Sequence, residues 1–244
     1  MIPLASFSRS PLALIAVCST VAAACATPTS AGSARASADT KDPMHVPIVQ
    51  AGHPVLRSRA QDIPPDRIGT PEVQDLVARM IETMRQAPGV GLAAPQIGVP
   101  WRVFVLEDRE ERMASLSAEE RQERGRVAFG PRVFFNPTLR PIGDEKALFF
   151  EGCLSVPGYA ALVERASEVE VSGLDEHGAP QTWRVRGWPA RILQHEFDHL
   201  EGTLYVDRMK TRSLTTLDQA KALYGGKPIA EVIRLLELDH ELGR

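Results

Sequence analysis

Pro189-Ala-Arg-Ile-Leu-Gln-His-Glu-Phe-Asp-His-Leu200 is the stretch from which fold and chemistry are both read. Pro189 suits the first turn of a helix and Gly202 suits its stop, which predicts a helix over 189–201. Ile192, Leu193, Phe197 and Leu200 make that helix too apolar for a free surface element, so it belongs at the centre of the molecule. His195 and His199 stand four apart and project from one face, about one turn from each other. Both imidazoles can therefore reach one metal ion. Glu196, beside the first of them, is placed to take a proton from metal-bound water. The bland alternative is a pair of exposed histidines with an ordinary acidic neighbour, and the apolar face of the helix argues against it.

Working outward, Thr70-Pro71 opens an earlier helix, with Thr70 as its N-cap. Val73, Leu76, Val77, Met80, Ile81 and Met84 form its buried stripe, and Pro88-Gly89 ends it. Residues 89–100 are a turn region rich in Gly and Pro that leads into a strand over 101–106. Residues 107–126 are mostly charged and read as a solvated surface insertion, with Ser117 and Glu120 making a capping box for a short helix. Further strands are expected at 132–136, 147–150, 168–174 and 181–186, the last two joined as a hairpin through Asp175–Gly178. A last amphipathic helix is expected over about 228–238. A helix, then strands, then a central helix indicate an α+β fold rather than alternating α/β.

The 244-residue chain has ample length for one sizeable core. With 43% hydrophobic and 24% charged residues, it is neither collagen-like nor broadly disordered. A net charge of -3 gives no electrostatic reason for nucleic-acid binding. Three cysteines exclude a disulfide scaffold, and no apolar run is long enough to span a bilayer. Residues 1–43 read differently from the rest. They hold a short basic start, an apolar segment and an Ala/Ser/Thr-rich spacer, which are the parts of a secretory leader. Ala22-Ala23-Ala24-Cys25 resembles a lipoprotein processing box with Cys25 as the lipidated residue. The alternatives are a chain that starts at Met44 and stays cytoplasmic, or an organelle transit peptide, placed behind export. Residues 44–244 are then the catalytic domain.

A catalytic metal needs a third protein ligand and an open position. Tyr205 occupies the place of the third His in the extended zinc-peptidase pattern, and Glu231 or Glu237 would be the other peptidase solution. The best ligand by softness is Cys153, in Glu151-Gly-Cys-Leu-Ser155. A lone cysteine is more often a small buried hydrophobe.

Gly89-Val-Gly-Leu-Ala-Ala-Pro-Gln96, Glu151-Gly-Cys-Leu-Ser155 and Gln194-His-Glu-Phe-Asp-His199 resemble, in order, the three motifs of peptide deformylases. The resemblance runs from about Ile48 to about Met209 and is most similar to the organelle-type branch. It implies antiparallel or mixed sheets around the central helix, with a helix at each end. It implies that Cys153, His195 and His199 hold one divalent ion, Fe(II) before Zn(II), Ni(II) or Co(II). It implies hydrolysis of N-formyl-methionyl peptides by metal-bound water, with Glu196 as base and then acid. The Gln96 amide and the Leu154 N–H would stabilise the oxyanion. The backbone at Gly89, Val90 and Gly91 would line the cleft. Trp188, Arg191 and Ile192, on the face of His195, are candidates for the wall of a methionine pocket. Glu151 and Arg165 would form an ion pair behind the metal loop.

Several family members carry Arg where this chain has Ala160, a departure that bears on peptide binding. The implied partners are formylated peptides or nascent chains at the ribosome. No nucleic acid is implied, the only membrane contact is through Cys25, and the chain is read as a monomer. Two other readings are an HExxH endopeptidase, for which Gln96 and Cys153 have no role, and a non-catalytic lipoprotein, which would not be expected to retain Glu196 and all three ligands.

Overall fold

The computed structural model describes residues 45–238. The leader readings, including Cys25, lie outside these residues. Helix α1 (Pro71–Gln86) is followed by strands β1 (Gly91–Ala93) and β2 (Val103–Asp108) and by helix α2 (Ala118–Arg124). Strands β3 (Phe129–Pro141), β4 (Lys146–Cys153), β5 (Val156–Ala166), β6 (Glu168–Leu174) and β7 (Pro180–Arg186) come next. Helix α3 (Trp188–Leu200), the short strand β8 (Thr215–Thr216), α4 (Leu217–Tyr224) and α5 (Ile229–Leu235) complete the chain.

The strands form a five-stranded sheet, ordered β1-β2-β3-β6-β7, and a three-stranded sheet, β4-β5-β8. Every pairing within them is antiparallel, so the mixed alternative is set aside. Alternation along β2 explains the packing. Val103 and Val105 join Val73, Val77, Met80 and Met84 of α1, while Phe104 and Leu106 join Ile192, Leu193 and Leu200 of α3. The larger sheet therefore lies between α1 and α3, which is why its second strand is apolar on both faces. The other flank of α3 meets the smaller sheet. Gln194 straps it there, donating to the carbonyl of Ala166 (2.9 Å) and accepting from the Ala166 N–H (3.0 Å). The metal-motif helix is thus held from both sides.

The structure corrects several sequence expectations. Thr70 stands at the N-cap of α1, but its hydroxyl donates back to Arg67 O instead of capping. The eleven-residue β5 was not foreseen, because its apolar run Ala160–Val163 is buried on both faces and lacks alternation. The expected terminal helix over 228–238 is present as the shorter α5, and the helix α4, parted from it by Gly225-Gly226 and Pro228, was not foreseen.

The charged stretch 107–126 is only partly solvated. The Ser117–Glu120 capping box is present. Met113 and Asp108 are fully buried, however, and Arg126 pairs with Asp108 through two bonds of 2.7 and 2.9 Å. This insertion docks on the start of α3, where Trp188 N–H donates to Gly125 O at 3.3 Å. The approach is close because Gly187 has no side chain. A Cβ there would lie 2.7 Å from Gly125 O, and its φ of +72° disfavours L residues anyway. Gly187→Ala should cost more than about 1 kcal/mol. A lowered urea midpoint at unchanged m value is the expected reading, and an unshifted midpoint contradicts this packing.

Candidate metal centre and active site

Cys153, at the end of β4, and His195 and His199 on α3 come together. One donor atom from each lies within 4.8 Å of the other two, and the Cys153 Sγ to His199 Nε2 distance is 3.3 Å. The hairpin geometry explains the position of Cys153. Leu154 and Ser155 make the turn, and the ladder slips between Gly152 and Cys153, so that Gly152 faces Ala160 but Cys153 faces Val156. The slip bulges Pro157–Tyr159 outward and turns Cys153 toward α3. The Ser155 N–H (3.4 Å) and the Gln96 side-chain amide (3.6 Å) both donate to Sγ.

Behind the donors lies a buried network of charges. Glu151 accepts two bonds from Arg165 (3.0 and 2.9 Å), one from Arg191 (2.6 Å) and one from His195 Nδ1 (2.9 Å). Asp198 accepts from Arg165 and Arg208. The expected Glu151–Arg165 pair is present. With the Nδ1–H of His195 donated to Glu151, the lone pair of Nε2 is left for a cation. Burial alone would raise the Glu151 pKa, but the hydrogen bonds from His195 and Arg165 outweigh it and hold the carboxyl well below the usual range.

Burial pushes His195 down, yet Cys153 and Glu151 on either side raise it well above its ordinary value. Burial and the His195 charge push His199 well down. A cation can replace the proton that His195 gathers between a sulfur and a carboxylate. His199 Nδ1 and Glu196 Oε2 are buried without a hydrogen-bond partner among the described residues. Thiolate, two imidazoles and an adjacent unpaired carboxylate fit a single divalent transition metal.

Glu196 is buried at the cleft floor, and burial raises its pKa to about 7. Its carboxylate lies against Gly91, where a Cβ would fall 2.2 Å from Oε1, so any side chain at 91 would displace it. Gln96 is fixed by accepting the Ala93 N–H at 2.8 Å, which turns its NH2 group toward Cys153.

A cleft of about 430 Å³ opens over these groups. Gly89, Val90, Gly91, Gln96, Cys153, Leu154, Trp188, Arg191, Ile192, His195 and Glu196 all line it, and His199 lies beneath. Arg191 borders the cleft, but its guanidinium is committed to Glu151 and to the carbonyls of Val163 and Ala147. It works as a strut behind the wall. Trp188 is backed by Arg124 and Arg126, 5.6 and 5.3 Å from its ring. Tyr205 packs against His195, with ring centroids 6.3 Å apart. Glu231 pairs with Lys227 and Glu237 with Arg212, away from the donor group. Sequence reasoning missed Arg191 as a strut and Asp198 as a partner of Arg165. The available signal was charged residues inside otherwise buried segments.

An antiparallel α+β fold around a helix-borne HExxH motif closed by a cysteine defines a class of single-metal proteins. Within that class, the chain belongs to the polypeptide deformylase family, whose family model matches residues 45–214. "Peptide deformylase 1A, chloroplastic" of Solanum lycopersicum is 52% identical over 171 residues, covering 70% of this chain and 62% of that protein. The chain thus spans less than two thirds of that relative's length. "Peptide deformylase 3" of Streptomyces avermitilis is 48% identical over 190 residues, 76% of this chain and 80% of that one. Among solved structures, a Met-Ala-Ser-bound class I type b peptide deformylase from Acinetobacter baumannii superposes with a TM-score of 0.60 at 32% identity, covering 67% of this chain and 98% of that one.

Glu151→Gln should lower divalent-metal affinity by about 10- to 100-fold, because His195 loses the anionic acceptor that raises its basicity and the new NH2 group faces the donors of Arg165, Arg191 and His195. Chelator competition measures this, and unchanged affinity contradicts the assigned role.

Proposed function

We propose that the chain is a metal-dependent peptide deformylase that hydrolyses the N-formyl group of N-formyl-methionyl peptides, releasing formate and a free amino terminus. One observation carries the reading. The carboxylate of Glu196 is buried and unpaired beside the Cys153, His195 and His199 donors, on the floor of a cleft open to a peptide. Family membership supports the substrate class.

Cys153, His195 and His199 hold the ion, Fe(II) before Zn(II), Ni(II) or Co(II). When bound, it supplies a Lewis acid that acidifies water and polarises a carbonyl oxygen. Glu196 accepts the proton of the attacking water and passes it to the departing amine nitrogen. Gly91 leaves the space in which that carboxylate sits. The Gln96 NH2 group and the Leu154 N–H donate to the oxygen that gains charge, and a neutral amide keeps this role at any working pH. Gly89, Val90 and Gly91 admit the peptide backbone, while Val90, Trp188 and Ile192 wall the methionine side chain. Arg191 stiffens that wall through Glu151. The enzyme acts as a monomer on nascent or free formylated chains. Residues 1–43 act as a targeting leader. The chloroplastic name of the tomato relative adds weight to organelle import, which the sequence reading set behind export.

Formate release from formyl-Met-Ala-Ser by the Fe(II)- or Ni(II)-loaded chain tests the reading. Glu196→Ala should retain the metal but lose at least about 100-fold in kcat. A metal-loaded wild type that releases no formate overturns it.

The pH dependence has a defined sign. Glu196 must be ionised to accept a proton, so kcat/KM should fall as pH falls through its pKa. Burial places that pKa at about 7, and a bound cation draws it back toward the ordinary 4.5. An acid limb between those values is expected in the pH–rate profile, and a flat profile there contradicts Glu196 as the base.

A further inference from the structure

The family match ends at Leu214, and the cleft does not. Thr215 and Thr216 pair with Ala160 and Tyr159 as β8, and α4 begins at the next residue. That residue, Leu217, lies over Gly152, the neighbour of Cys153. A Cβ built on Gly152 would sit 3.7 Å from Leu217 Cδ2, in ordinary contact. The far end of α4 is anchored by Tyr224 stacked on Phe150, with ring centroids 5.4 Å apart. Leu217 is therefore held at the cleft from both ends of its helix.

Leu217 is 51% exposed and Tyr159 is 48% exposed. Among the described cleft-lining residues they are the large apolar side chains left open to water. The charged groups of the same lining, Glu151, Arg191 and Glu196, are all buried. Ala160, where several family members place Arg, is only 3% exposed and brings no charge to the mouth. With the formyl end at Glu196 and the methionine side chain against the enclosed wall, the rest of the peptide leaves past this uncharged rim.

We propose that Leu217 and Tyr159 form an apolar subsite that selects an aliphatic or aromatic side chain within the two residues after formyl-methionine. The subsite rests on the deformylase reading and is supplied in part by a segment beyond the family match.

The test uses the metal-loaded full chain and two peptide series, formyl-Met-Xaa-Ala and formyl-Met-Ala-Xaa, with Xaa as Leu, Ser or Asp. In one series, kcat/KM for Leu over Ser should be roughly three- to tenfold, less than an enclosed hydrophobic pocket gives, and carried mainly by KM. Leu217→Ser and Tyr159→Ser should each bring the ratio toward one, and Leu217→Lys should raise the relative rate on the Asp peptide. A ratio near one in the wild type, or a ratio unmoved in both serine variants, overturns the subsite. Formate from none of the peptides overturns the deformylase reading and the subsite with it.

Discussion

One buried carboxylate organises the site. Glu151 lies on β4, two residues before Cys153, and accepts hydrogen bonds from Arg165 on β5 and from Arg191 and His195 on α3. It therefore joins the hairpin that carries the thiol to the helix that carries the imidazoles. A lone buried carboxylate would be costly, and removing one partner from such a network costs about 3–5 kcal/mol. The four bonds offset that cost and also settle which nitrogen of His195 is free. Structure and chemistry depend on the same charge.

The rest of the architecture serves to keep that arrangement still. The larger sheet lies against one flank of α3, and Gln194 ties the smaller sheet to the other. The insertion after β2 closes on the first turn of α3 and backs Trp188. Gly91 brings the first strand so near α3 that Glu196 is desolvated, and that desolvation raises its pKa. A carboxyl group whose pKa is near neutrality thus follows from a missing Cβ one layer away.

Much of this was legible in the chain. The stripe of Val73, Val77, Met80 and Met84 carried its own periodicity, and the apolar run from Val103 to Leu106 was marked by the Gly/Pro-rich turn before it. The His195–His199 spacing and the solitary Cys153 carried their own chemistry. What was not legible depended on long-range partners. Ala160–Val163 has no alternation because both of its faces are buried, so β5 left no period to read. Arg191 falls on the face of His195 and reads as pocket wall, and only Glu151, forty residues away, reveals it as a strut. Asp108 reads as surface until Arg126 is seen folded onto it. Leu217 has no motif and gains meaning only from β8 pairing with β5.

In the proposed mechanism Cys153, His195 and His199, ordered by Glu151, hold one catalytic ion. X-ray absorption at the metal edge of the zinc-loaded full chain tests it most directly. One sulfur at about 2.3 Å and two imidazole nitrogens at about 2.0–2.1 Å are expected, with the sulfur shell lost in Cys153→Ser. A wild-type shell made only of nitrogen and oxygen would contradict it.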